Sequence, residues 1–208
     1  MPNTHFPPQG LPPLPYQEAV NSALVCTQCG LHATRNKVVF SEGPVPCDIL
    51  CIGEAPGADE DAQGIPFVGR AGKLLTQMLA SIELNRPTDV YICNTLKCRP
   101  PGNRAPDPKE IRSCLPYLVS QVEAVKPKII VLLGSPAMKT ILDPTEGITR
   151  IRGQWYNLSV SYQAQPVRVM TLFHPSYLLR NPSPKEGSPK WLTWQDLKAI
   201  RKELDSLR

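Results

Sequence analysis

The sequence predicts a three-layer α/β/α domain built on a central four-stranded parallel sheet. Three observations point to it. Four short apolar runs, residues 48–52, 90–96, 129–133 and 168–173, have the length and branched side chains of buried strands. Helical periodicities and helix-start signals separate them, and strands that alternate with helices pair in parallel with helices on both faces. The first, third and fourth runs break off at Gly53, Gly134-Ser135-Pro136 and His174-Pro175, abrupt exits of the strand-to-helix kind.

The elements follow in order. Residues 1–15 hold Pro2, Pro7, Pro8, Pro12, Pro13 and Pro15 and read as a proline-rich leader, disordered or extended, ahead of a single domain at 16–208. A helix from Tyr16 to about Val25 ends at Cys26 and Cys29. Beyond a loop with Gly43, Pro44 and Pro46 comes the first strand. Gly69-Arg70-Ala71-Gly72 opens a helix whose Leu74, Leu75, Met78, Leu79 and Ile82 recur at helical spacing and face the sheet. The second strand exits through Asn94, Lys97 and Cys98. A proline-rich loop then leads to a helix capped by Asp107, with Pro108 at its first position and Glu110 in its first turn. After the third strand, 149–160 reads as a short β excursion. The fourth strand leads to His174, and a helix over 189–207 closes the chain.

Composition narrows the function classes. With 208 residues, 41% hydrophobic and 20% charged, the chain suits one globular domain rather than a disordered or fibrous protein. A net charge of +5 permits a polyanionic partner without demanding one. No run of 18 apolar residues exists to span a membrane, and the start lacks the basic-then-apolar pattern of a secretory signal. The expectation is a cytoplasmic, intracellular protein. Seven cysteines in a reducing compartment then suggest metal binding rather than disulfides.

Two segments carry the chemistry. Gly53-Glu54-Ala55-Pro56-Gly57 with Asp59, Glu60 and Asp61 follows the first strand, and His174-Pro175-Ser176-Tyr177-Leu178-Leu179-Arg180 follows the fourth. In an open α/β sheet, ligands bind beyond the carboxyl ends of the strands, so both segments can border one pocket. Asp59 reads as a solvated acid, and Phe67 as core or as an aromatic wall of that pocket. Proline after His174 restricts the histidine backbone to extended geometry and so directs its ring. Cys26 and Cys29 form a C-x2-C pair, and Cys98 and Cys114 form a looser one. Spacing alone leaves zinc and iron-sulfur open, with the loose second pair tilting toward iron-sulfur. Cys51 and Cys93, inside apolar runs, read as core, and Cys47 as structural.

These segments, with Gly64-Ile65-Pro66-Phe67-Val68-Gly69, the run from Asn94 to Arg104 and the cysteine spacing, resemble the family-four uracil-DNA glycosylases, the iron-sulfur branch of their superfamily. The resemblance covers nearly everything after about residue 20. It implies flipping of uracil out of DNA and hydrolysis of its N-glycosidic bond, which leaves an abasic site and free uracil as the first step of base excision repair. By the same resemblance, Phe67 stacks on the base, Asn94 reads its Watson-Crick edge, and Glu60 crowds C5 against thymine. His174 donates to uracil O2, and Ala55 lines the pocket. Because Ala55 has no side-chain group to polarise water, Glu54 is the candidate to position or activate it, ahead of Asp61. Ser176 and Arg180 would meet DNA phosphate and Leu178 would wedge into the duplex, with Lys97, Arg99, Lys185 and Lys190 as further phosphate contacts. Cys26, Cys29, Cys98 and Cys114 would hold a [4Fe-4S] cluster. A monomer acting at the chromosome is the expected state. The related branch that traps its abasic product covalently carries a histidine-bearing insertion after the second strand, and no histidine lies in 99–108. An iron-sulfur electron carrier would leave the pocket motifs without a purpose.

Overall fold

The structure, a computed structural model, describes residues 3–6 and 11–208. Its elements in chain order are β1 (Asn3–His5), α1 (Tyr16–Leu24), β2 (Ile49–Gly53), α2 (Ala58–Gln63), α3 (Arg70–Ala80), α4 (Arg86–Asp89), β3 (Val90–Asn94), α5 (Pro108–Val125), β4 (Ile129–Leu133), α6 (Ser135–Leu142), α7 (Ile148–Ile151), β5 (Trp155–Ser159), β6 (Val167–Leu172), α8 (Pro175–Arg180) and α9 (Pro189–Ser206). The strands form one sheet in the order β1-β5-β6-β4-β2-β3.

The four expected strands are the contiguous set β6-β4-β2-β3, and all their pairings are parallel. The expected count of four is corrected to six. β5 falls inside the expected β excursion and runs antiparallel to β6, with Tyr156 opposite Val169. Leu158 is its one fully buried residue, so it lacks the continuous apolar run that marks a central parallel strand. β1 comes from within the proline-rich leader and pairs in parallel with β5. Its Asn-Thr-His sequence has no apolar pattern, and pairing is continued by Phe6, whose N–H donates to the Ser159 carbonyl and whose ring is buried. Residues 1–2 and 7–10 of the expected leader lie outside the described residues.

Every residue of β2, β3 and β4 is buried, as strands covered on both faces must be. One face packs Leu118, Val119 and Val122 of α5 and Met138 and Ile141 of α6 on Leu50, Ile52, Tyr91 and Ile130. The other packs Leu75, Met78 and Leu79 of α3 and Leu197, Ile200 and Leu204 of α9 on Ile49, Ile92 and Val131. Cys93 belongs to the first cluster and Cys51 to the second, so both are core residues as expected. A third cluster joins Ala19 and Ala23 of α1 to Leu31, Phe40, Leu96, Cys98, Cys114 and Tyr117. It fastens the N-terminal segment to the exit of β3 and the start of α5.

The α5 cap is the expected one. Asp107 accepts from the Lys109 N–H at 2.7 Å while Glu110 accepts from the Asp107 N–H at 2.8 Å, a reciprocal capping box. Among the described residues, no helix is long and apolar enough to cross a membrane.

Candidate active site and cysteine pocket

Parallel β2, β3, β4 and β6 deliver their carboxyl ends to one edge, and the residues that follow each strand meet there. β2 contributes Gly53. A β-carbon at this position would lie 2.6 Å from the Phe67 ring and would also strike Asn94 Oδ1, so only glycine lets the ring and the amide approach from β3 and the loop before α3. β4 contributes Gly134 in a left-handed conformation, with the His174 side chain packed directly over it. The Phe67 and His174 rings sit with centroids 5.8 Å apart, tilted by 33°. Asn94, Phe67 and His174 thus converge at one strand-end site, as the sequence suggested.

The polar groups differ in how they are used. Asn94 is 2% exposed, and its Oδ1 has no hydrogen-bond partner. Buried acceptors are rarely left alone, and this one is free to accept from a ligand donor. At His174, Nδ1 accepts from the Ser176 N–H at 3.1 Å and lies 2.8 Å from Ser176 Oγ. A ring nitrogen that accepts a backbone N–H carries no proton, which leaves the proton of the neutral ring on Nε2. Burial pushes the His174 pKa down to about 4, Arg180 adds to the fall, and Glu60 opposes it. The ring is a neutral donor at ordinary pH.

The acidic loop divides by role. Glu60 is committed to the backbone: Oε2 accepts from Gly57 N–H at 3.1 Å, and Oε1 accepts from Val68 and Gly69 N–H at 2.9 Å each. Asp61 is buried and accepts from the Asn36 backbone and side chain at 2.9 and 2.6 Å, so it fixes the loop before β2 and is not free to meet water. Asp59 is exposed, as read from the sequence. Glu54 is half-buried, and burial raises its carboxyl pKa. Its carbonyl is held by Thr95 Oγ1 at 2.6 Å. Ala55 packs at the border of the third apolar cluster and offers no polar side-chain group.

Phe67 is 6% exposed and has φ +53°. A left-handed conformation costs a non-glycine residue on the order of 1–3 kcal/mol, and persists only where the surroundings impose it. It shapes the loop that carries the ring.

Comparison with known proteins decides the family. The uracil DNA glycosylase superfamily model matches residues 40–198. The type-4 uracil-DNA glycosylase of Archaeoglobus fulgidus is 44% identical over 173 residues, covering 81% of this chain and 85% of that protein. The type-4 enzyme of Thermotoga maritima is 45% identical over 162 residues, covering 76% and 80%. This chain belongs to the uracil-DNA glycosylase superfamily, in its type-4 branch.

Cys26 and Cys29 of this type-4 chain precede the segment that the superfamily model matches. Together with Cys98 and Cys114 they line one cavity, alongside Leu31, Arg35, Leu96 and Tyr117. Arg35 donates to the Cys26 carbonyl at 2.7 Å and to Cys98 Sγ at 3.3 Å, and the Lys97 N–H donates to Cys114 Sγ at 3.3 Å. Donors aimed at sulfur favour thiolates over thiols. Against them, burial pushes the Cys114 thiol up to about 12 and raises Cys98. Among the described residues, no three cysteine, histidine or acidic groups are gathered tightly enough to grip a single ion. Four cysteine sulfurs lining one cavity are the donor type that iron-sulfur clusters use.

Two expected DNA contacts are corrected. Leu178 is 1% exposed and belongs to the core cluster beneath α3 and α9, because the helical turn of α8 points it inward. It is no wedge; the exposed apolar residues of this helix are Tyr177 and Leu179. Lys97 is also 1% exposed, with Nζ bonded to the Asn94 carbonyl at 2.5 Å and Gln121 Oε1 at 2.6 Å, so it cannot reach a phosphate. Arg180, Lys185 and Lys190 are exposed, and Ser176 is half-buried. Arg35 as a sulfur donor carried no sequence signal beyond its proximity to the cysteine pair, and Ser176, read from its motif as a phosphate contact, bonds His174 Nδ1.

Proposed function

We propose that this chain excises uracil from DNA by hydrolysing its N-glycosidic bond, releasing free uracil and leaving an abasic site for base excision repair. The observation that carries the reading is the unpartnered Asn94 Oδ1 beside a ring wall and a neutral histidine donor at one strand-end edge. Uracil fits that set. Its N3–H completes the Asn94 acceptor and its O4 takes the amide N–H, whereas cytosine presents the opposite pattern at both positions. Phe67 stacks on the flipped base. Flipping costs a few kcal/mol and is cheapest for a mispaired base, so uracil opposite guanine is the favoured target.

Glu60 excludes thymine. Its carboxylate is pinned by three backbone N–H groups and cannot swing aside for a methyl at C5. As the bond breaks, positive charge grows on the sugar and negative charge on the base, and His174 Nε2–H stabilises the latter at O2 in a pocket poor in water. A neutral donor leaves the histidine proton in place and lets uracil depart as the anion. Glu54, with a raised pKa, positions the water and receives its proton as the sugar hydroxyl forms. Ala55 supplies backbone to the same wall. Because the transition state is largely dissociative, positioning of the water suffices although Ala55 offers no polar side chain. Ser176 and Arg180 contact phosphate and fix the register of the duplex.

Cys26, Cys29, Cys98 and Cys114 hold a [4Fe-4S] cluster, whose contribution is a structural cross-link between the N-terminal segment and the exit of β3. The chain acts as a monomer, inside the cell, at the chromosome. The test is incubation with a uracil-containing oligonucleotide followed by alkali. Strand cleavage at uracil is the expected result. An intact strand, or a covalent protein-DNA adduct in place of turnover, would replace this reading with that of a binder or a trapping protein.

A further inference from the structure

The loop that carries Phe67 is held from two sides by opposite charges, and only one of them borders the pocket. Glu60 takes the N–H groups of Val68 and Gly69. The carbonyls just before them are taken by Arg86, which donates from Nη2 to Pro66 O and from Nη1 to Phe67 O, each at 2.6 Å. Its Nε and Nη2 also donate to Glu42 Oε2 at 2.9 and 2.6 Å, and Nη1 donates to Thr76 Oγ1 at 3.1 Å. A guanidinium has five N–H groups, and here all five are used. Glu42 is itself tied to the sheet by a two-way backbone bridge with Ile92 of β3, at 3.0 and 2.7 Å. A line of fixed groups therefore runs from the strand that carries Asn94 to the loop that carries Phe67.

We propose that Arg86 is a positioning residue for base excision: by holding the Pro66 and Phe67 carbonyls it sets the left-handed turn that places the Phe67 ring against Asn94 and His174, without touching base or DNA. The inference rests on Phe67 being the stacking wall. The fork geometry is what matters, because two carbonyls and a carboxylate are met at fixed angles, and a lysine ammonium cannot span them. Displacing a positioning surface by about 1 Å is enough to cost on the order of 100-fold in rate.

The test is a mutant cycle of Arg86→Lys and Arg86→Gln with Phe67→Ala, read by single-turnover excision from a uracil oligonucleotide and by amide hydrogen exchange of Val68 and Gly69. In the Phe67 background, R86Q should lower the rate by about 10- to 100-fold and R86K by about 10-fold. Exchange should quicken at Val68 and Gly69 but not in β2 or β4. In the F67A background, the same Arg86 changes should cost less than about 3-fold, because the part they position is gone. Equal losses in both backgrounds, or unchanged exchange in the turn, would overturn the proposal. Should R86Q fail to fold, R86K gives both readouts. An F67A rate equal to wild type would count against Phe67 as the stacking wall, and exchange at Val68 and Gly69 would still decide whether Arg86 holds the turn.

Discussion

A histidine that stabilises a departing anion must arrive with its proton on the correct nitrogen, and at His174 the backbone N–H of Ser176 decides which one that is. Burial then keeps the ring neutral, with a pKa pushed down to about 4 from 6.5. The folded value lies below the unfolded one, so the stability tied to the neutral ring is fully present above pH 6.5 and is lost as pH falls toward 4. Urea unfolding of His174→Gln across pH 4–7 should therefore lose part of the acid sensitivity of wild type; identical profiles would show that the ring does not titrate in that window. His174→Ala should slow single-turnover excision by about 100- to 1,000-fold with the fold intact by circular dichroism. Asn94→Asp, which removes the donor to O4, should lower the uracil-to-cytosine rate ratio, read on matched oligonucleotides. The sequence made Asn94 and His174 legible, since one lies at the exit of an apolar strand run and the other just after one, and each sits in a motif that resembles the family's. It could not show that Lys97, the residue just after such a run, turns back to bond the Asn94 carbonyl; that depends on Gln121, 24 positions away.

At the scale of elements, the site depends on two strand exits and the phase of one short helix. Gly53→Ala would drive a β-carbon into the Phe67 ring and Asn94 Oδ1 together. The expected result is an excision rate lower by about 100-fold, with the sheet still folded by circular dichroism. The inward turn of α8 separates a second pair of outcomes. Leu178→Ala should destabilise the protein by about 2–5 kcal/mol in urea unfolding, the usual cost of emptying a buried leucine site, whereas Leu179→Ala, at 36% exposure, should leave stability nearly unchanged. A destabilised L179A with an unaffected L178A would reverse the assignment of core and surface. The four parallel strands were legible because burial on both faces leaves unbroken apolar runs. β1 was not, because an edge strand takes its geometry from a neighbour's backbone, and β5 was legible only as a β excursion with no assigned place in the sheet. One segment was half apolar and the other lay among prolines. The helix phase of α8 was hidden for a related reason, since six residues hold fewer than two turns and show no period.

Across the whole molecule, the Asn94–Cys98 segment joins the cysteine pocket to the strand-end site. Lys97 lies in its middle, fully buried, and among the described residues it forms no ion pair with a carboxylate. Burying an ammonium without an opposite charge is costly. In the proposed cluster, the deprotonated sulfurs of the neighbouring cysteines, among them Cys114, which accepts the Lys97 backbone N–H, would supply that negative charge. The third apolar cluster adds the mechanical link, joining Leu31 and α1 to Cys98 and Cys114. Loss of the proposed cluster should consequently be felt at both ends. Cys29→Ser, or iron removal by chelation after oxidation, should lower the melting temperature, expose residues 16–35 to limited proteolysis, and reduce excision in parallel with the fall in iron content. Selective proteolysis would place the damage in the N-terminal segment, while the sheet, packed by α3, α5, α6 and α9, should stay protected. Cutting spread evenly over the chain would mean that the cysteines stabilise the fold globally rather than through this one seam, and an unchanged melting temperature at zero iron would deny them any structural role.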